Sequence, residues 1–172
     1  MSKKILAILC ICIVGILIIA LIPKEVDEIT NAVVNPNNGD IAFCYYDYSG
    51  TVDRIRILVF NRYGEELYSK TYLEAYTPSM VFDGNELCIT LGRTYEKYSF
   101  DREGNETSNS ISADDIKKND FFGEWAYSFA SGKMIYSLDN YKYCYEEPTI
   151  FRRRAKLTIS NGETVVVIYQ SS

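Results

Sequence analysis

Residues Ile5 to Ile22 form an apolar run of eighteen residues with no charged side chain, closed by Pro23. At about 1.5 Å of rise per residue, a helix over this run is roughly 27 Å long, close to the hydrocarbon thickness of a bilayer. A run of that length reads as a membrane span and stands apart from the fold of everything after it. A cleaved signal peptide would have an apolar core of about 7–15 residues and a small-x-small cleavage site. Ala20 suits the last position of such a site, but Ile18 fills the other. Thr30 and Ala32 lie well past the run, behind Glu25, Asp27 and Glu28. Lipidation needs a small residue before the cysteine, whereas Leu9 precedes Cys10 and Ile11 precedes Cys12. The reading is therefore an uncleaved signal-anchor, with cleavage as the alternative.

Lys3, Lys4 and the terminal amine precede the run, and only Lys24 follows it before Arg54. The bias of positive charge predicts a cytoplasmic N-terminus and an extracytoplasmic remainder in the cell membrane. Either fate of the anchor exports the same region. The expected organisation is a stub at 1–4, a transmembrane helix at 5–22, a spacer at 23–31 and a β-rich domain at 32–172.

Charge and composition narrow what that domain does. Beyond the run, 16 Lys and Arg face 23 Asp and Glu, a balance of −7. Nucleic acid is a poor partner for such a surface, because its affinity rests on neutralised phosphates. Arg152, Arg153 and Arg154 read as a charged strand edge that resists unwanted pairing. Histidine is absent, which removes Ser-His-Asp and Cys-His nucleophiles, histidine metal sites and histidine pH switches together. Gly-rich phosphate loops, nucleophile elbows and dinucleotide fingerprints are also missing. Cys44, Cys88 and Cys144 lack CxxC spacing and read as buried thiols, with one disulfide as the alternative. No catalytic, cofactor or metal residue is assigned.

Fifteen tyrosines, with abundant Val, Ile, Phe and Thr, favour pleated half-buried surfaces and hence strands. The strands fall into three sets of similar order, at about 32–77, 78–119 and 120–172. In the first, Ala32-Val33-Val34 leads through Asn37-Asn38-Gly39-Asp40 to Ile41 to Tyr48. Arg54 to Phe60 then turns at Asn61-Arg62-Tyr63-Gly64 into Glu65 to Tyr72. The second runs from Met80-Val81-Phe82 through Gly84 to Glu86 to Leu91, then Tyr95 to Phe100, a turn at Gly104 and Glu106 to Ser112. The third takes Trp125 to Phe129, a turn at Gly132, Met134 to Leu138, a longer connection, Arg154 to Ile159, a turn at Gly162 and Glu163 to Gln170. Asn-Gly and Asp-Gly pairs between alternating runs are strong hairpin signals, since their tight turns need positive φ. Ser112 to Asn119 is the one expected helical turn outside the membrane, with Ser112 as its cap.

FNRYGEE at 60–66 matches FDREGNE at 100–106, and the first glycines at 39, 84 and 132 are spaced like those of four-stranded propeller blades. NPNNGDIAF at 35–43, followed by ILVFNRYGEEL at 57–67, resembles the blade repeats of TolB-type β-propellers over roughly residues 32–170. The resemblance implies about twelve antiparallel strands in three four-stranded blades, with the hairpin before the strand nearest a central channel. Three blades fall short of the four to eight that close a ring. A dimer closing a six-bladed ring, a short capped stack and a β-sandwich all remain open.

Tyr141, Tyr143 and Tyr145 alternate and would share one strand face. With Trp125 and Tyr127 they form a candidate aromatic platform for a sugar or peptide; cross-strand packing is the competing reading. Asp47, Asp53, Asp139 and Glu146 sit near strand ends without the spacing of a calcium loop. Asp101, Glu103, Glu146 and Glu147 cluster as glycosidase carboxylates do, but such pairs are defined across a cleft. The expected role is a non-enzymatic, anchored interaction module for a protein, peptide or envelope polymer. A carboxylate-dependent hydrolase and an accessory subunit of a larger envelope complex are the alternatives.

Overall fold

The computed structural model describes residues 29–47, 54–73, 76–91, 96–107, 125–128, 133–148 and 154–171. The expected span at 5–22, the expected helical turn at 112–119 and Asp53, Arg152 and Arg153 lie outside them. Among the described residues no helix is long and apolar enough to cross a membrane.

The β-rich composition becomes thirteen antiparallel strands in three sheets among the described residues. Sheet 1 is a meander of β1 (Ile29–Val34), β2 (Ile41–Asp47), β3 (Arg54–Phe60) and β4 (Glu66–Tyr72). Sheet 2 repeats that order with β5 (Ser79–Asp83), β6 (Glu86–Thr90), β7 (Lys97–Phe100) and β8 (Glu106–Thr107). Sheet 3 joins β9 (Ala126–Ser128), β10 (Lys133–Leu138), β11 (Tyr141–Glu146), β12 (Lys156–Ser160) and β13 (Val165–Gln170) in chain order.

Sheet 1 is the middle layer, and its sequence says why. Successive side chains of a strand point to opposite faces, yet β2 is buried at Ile41, Phe43 and Tyr45 and also at Ala42 and Cys44. The first set packs with Tyr143, Tyr145, Leu157 and Ile159 of sheet 3. The second, with Ile55, Ile57 and Val59 of β3, packs with Met80, Leu87, Ile89 and Phe100 of sheet 2. Each fully buried Ile, Leu or Phe contributes about 1.5–3 kcal/mol of apolar transfer. Aromatic contacts link the layers: Phe43 and Tyr45 lie 5.4 and 5.0 Å from Tyr169, and Tyr72 lies 5.4 Å from Tyr98.

The turns between β1 and β2, β3 and β4, β5 and β6, and β7 and β8 gather at one end of the stack. Asn35 Nδ2 donates to Gly84 O at 2.8 Å, and Arg102 reaches Asp40. The turns at 61–65 and 101–105 share one hydrogen-bond pattern. Asn61 Oδ1 accepts the N–H groups of Tyr63 and Glu65 at 2.9 and 3.0 Å; Asp101 Oδ1 accepts those of Glu103 and Asn105 at 3.0 and 2.7 Å. Gly64 and Gly104 take φ of +85° and +82° there, where a side chain is strained.

Several expectations are corrected. The third set of strands pairs β9 with β10 across residues 129–132, and Gly132 itself lies outside the described residues. Its Tyr141–Glu146 segment, expected within a connection, is an interior strand paired on both sides with β10 and β12. The hairpin into it turns at Asp139 and Asn140 with Asp139 at φ +52°. Asp tolerates that left-handed conformation better than most residues, so this turn forms without glycine. With sheets of four, four and five strands, the architecture does not show the regular propeller repeat that the spacing predicts. Strand β1 starts at Ile29, inside the expected spacer, because Ile29 and Ala32 are buried against sheet 3. By contrast, Cys44 and Cys88 are buried free thiols as the sequence reading has them, and Cys144 is free and half-buried.

Candidate functional site

Tyr141, Tyr143 and Tyr145 do share a face, but it is the face turned toward sheet 1. Tyr143 and Tyr145 are 0% and 1% exposed and Trp125 is 8% exposed, so all three belong to the core. The Tyr143 hydroxyl donates to Gly39 O at 2.5 Å, and the Trp125 ring lies 6.5 Å from the Tyr143 ring. Burial pushes the Tyr143 hydroxyl well above the usual phenol range, so it stays a neutral donor. Tyr127 stands opposite Met134 and is exposed. Tyr141 is half-buried at the turn end, with the Arg62 guanidinium 5.1 Å over its ring and Tyr63 6.3 Å away edge-on. The structure thus joins Trp125 and Tyr143 in one cluster, and the five aromatic residues do not present one continuous surface.

The carboxylates are similarly dispersed. Asp139 lies in the turn at one end of the β10–β11 hairpin, while Glu146 at the other end accepts from Lys133 Nζ at 2.5 Å. Hydrogen bonds from the Asn105 side chain and from neighbouring backbone N–H groups hold the Asp101 carboxyl below its ordinary range. Asp40 is the buried exception. Its carboxylate takes a two-pronged contact from Arg102, Nε to Oδ2 at 2.8 Å and Nη2 to Oδ1 at 3.0 Å. Asn38 Nδ2 donates to the same carboxylate at 2.9 Å, and Arg62 Nε donates to the Asn38 carbonyl. This pair pins sheet 2 to sheet 1. Among the described residues no group of three or more Asp, Glu or Cys is placed to hold a metal ion.

The surface that remains is the outer face of sheet 3. Residues directly opposite on neighbouring antiparallel strands point to the same face. The register lines up Ala126, Ile135, Cys144, Thr158 and Val167 across all five strands. This uncharged row faces away from sheet 1, because Tyr143 and Tyr145 on either side of Cys144 point inward. On one side it is bordered by Lys133, Glu146 and Lys156, and on the turn side by Ser137, Lys142, Ser160 and Val165. Val165 and Val167 are 67% and 47% exposed on β13, which ends the sheet. They were not singled out in the sequence. Their run, Thr164 to Tyr169, has no apolar–polar alternation to separate an inner from an outer face, and a bulge between the Leu157 and Thr158 pairings shifts the register as well.

The chain matches no protein family, no curated protein and no solved structure in any of the three comparisons.

Proposed function

We propose that the chain is an extracytoplasmic interaction module, anchored by residues 5–22 and built of propeller-like β-sheets, that binds another protein, a peptide or an envelope polymer. The observation that carries this reading is the uncharged row across sheet 3, ending in the exposed valines of β13. Large apolar side chains left in water on a strand at the edge of a sheet are what a docking surface presents. The charge-free run and the lysine bias at its start support the anchor, and the face-to-face stacking of three meanders supports the propeller-like architecture. The edge of β13 also favours a second reading, an accessory subunit completed by a partner's strand. Val165 to Tyr169 carry no charge, whereas edge strand β4 carries Glu66 and Lys70 and edge strand β8 has two residues.

A photo-reactive amino acid placed at Val167 in the full-length chain, in its native membrane, tests the module. A discrete cross-linked species is expected there and not from the same group at Leu73, which is 76% exposed on the far end of sheet 1. Equal, diffuse labelling at both positions would remove the reading. Labelling of the domain by a membrane-impermeant reagent on intact cells tests the orientation.

A further inference from the structure

We propose that Asn161-Gly162, at the tip of the β12–β13 hairpin, is a site of spontaneous covalent modification, where the chain converts Asn161 to aspartate and isoaspartate while sparing its other Asn-Gly pair. The inference is independent of the docking reading above, since the only co-reactant is water.

The sequence holds two Asn-Gly pairs, at 38–39 and 161–162. In such a pair the glycine nitrogen attacks the side-chain carbonyl carbon of the asparagine, with no side chain on the glycine to obstruct it. The new N–C bond closes a cyclic imide. The attacking N–H gives its proton to solvent, and the side-chain nitrogen takes one up and leaves as ammonia. Water then adds to either imide carbonyl and opens the ring. One opening leaves aspartate; the other leaves isoaspartate, whose main chain runs through the former side chain. One asparagine and one water thus yield one acid and one ammonia.

The two pairs differ at each atom of this reaction. The attacking nitrogen of Gly39 donates to Asn35 O at 2.8 Å, whereas that of Gly162 has no acceptor among the described residues. The leaving nitrogen of Asn38 is tied to Asp40 Oδ2 at 2.9 Å and to Asn85 Oδ1 at 3.2 Å, while that of Asn161 is free among the described residues. Gly39 is buried, and a Cβ on it would stand 2.8 Å from the Tyr143 hydroxyl and 3.0 Å from Arg62 Nε. Asn161 and Gly162 are exposed, with nothing within 4 Å of a Cβ at Gly162, so water reaches an imide there.

The bonds that Asn161 does make favour the reaction. Its Oδ1 accepts from Glu163 N, Thr164 N and Thr164 Oγ1 at 3.1, 2.8 and 3.0 Å. This oxygen gains negative charge as the nitrogen attacks, so all three donors hold it more tightly in the transition state, as in an oxyanion hole. At Asn38 the same charge would develop beside the Asp40 carboxylate and be repelled. Asp83-Gly84 is as open as Asn161-Gly162, but its carboxylate is already negative and resists attack. Modification matters at this place because the turn leads into β13, whose Thr164 to Tyr169 run is uncharged. Either product sets a negative charge at the head of that edge. Aspartate keeps an oxygen for the three donors; isoaspartate lengthens the turn by one main-chain atom and unseats them.

The test incubates the full-length chain in detergent at neutral pH and follows both pairs by peptide mass spectrometry, with isoaspartate read by selective enzymatic methylation. Asn161 is expected to convert at least tenfold faster than Asn38, a barrier difference of about 1.4 kcal/mol or more. In the guanidinium-unfolded chain the two rates should draw together, since each pair is then an Asn-Gly followed by an acid. Thr164→Val removes one donor, keeps the side-chain shape, and should slow Asn161 severalfold while leaving Asn38 unchanged. Equal rates in the folded chain, or a ratio that persists on unfolding, overturn the proposal, because the fold then makes no difference. A Thr164→Val chain that reacts at the wild-type rate or faster overturns it too, because the turn then restrains Asn161 instead of assisting it.

Discussion

The Tyr143 hydroxyl is the smallest unit whose removal tests the joint between sheets 1 and 3. Tyr143→Phe keeps the ring in the core and strips one buried hydrogen bond, leaving the Gly39 carbonyl without that donor. The expected cost is about 1–2 kcal/mol in urea unfolding. Tyr143→Ala, which also opens a cavity, should cost about 3–5 kcal/mol. Arg102→Ala leaves the buried Asp40 carboxylate with Asn38 but no cation. The loss should be about 1–3 kcal/mol, below that of a fully buried pair because the Arg102 side chain is 47% exposed. Cys44 adds a pH signature. Burial pushes its thiol up to about 12 from an ordinary value near 9, against weaker lowering by Thr30 and the Asn31 backbone. The thiol therefore holds its proton in the folded chain and gives it up more readily in the unfolded one. Its stabilising share is complete below about pH 9 and is lost as pH rises toward 12, at up to about 1.4 kcal/mol per pH unit. Chemical unfolding at pH 8 and pH 10 should show lower stability at the higher pH, and Cys44→Ser should flatten that difference. Native Cys44 should also resist a thiol reagent at pH 8 and react once the chain is unfolded.

Three turn glycines at positive φ differ in what they touch, so one substitution made at each separates backbone strain from contact. Gly162→Ala meets open space and should cost only the left-handed penalty, about 1–2 kcal/mol. Gly64→Ala and Gly104→Ala add a collision with Val166 and with Tyr68, and about 2–4 kcal/mol is expected for each. Equal costs at all three, read by urea unfolding, would contradict these contacts. Much at this scale was legible in the sequence. Asn-Gly and Asp-Gly announced the hairpins around Gly39, Gly84 and Gly162, and Ile41 to Tyr45 read as a strand because every residue in it is apolar. The Asp139-Asn140 turn was not legible, since it reaches positive φ without glycine and hides the strand that follows. Nor was the destination of the tyrosines. Alternation at 141, 143 and 145 says that they share a face but not what that face meets, and sheet 1, almost a hundred residues earlier, is what covers it.

At the scale of the molecule, the layers run sheet 3, sheet 1, sheet 2, while the chain writes them as 1, 2, 3. The layer made first is thus the one enclosed by the other two. A chain ending near residue 124 has its first two sheets and lacks the third, leaving Ile41, Phe43 and Tyr45 without Tyr143, Tyr145 and Leu157 to cover them. Such a truncation should bind a hydrophobic dye and sediment as aggregate where the full chain does not; a soluble, dye-free product would contradict the layer order. Synthesis follows the same sequence. From the moment β2 leaves the ribosome until β13 does, an oily face waits for partners still being made, and chains in that interval are prone to stick to one another. Because the covering layer is the last one made, that exposure lasts until the domain is almost finished.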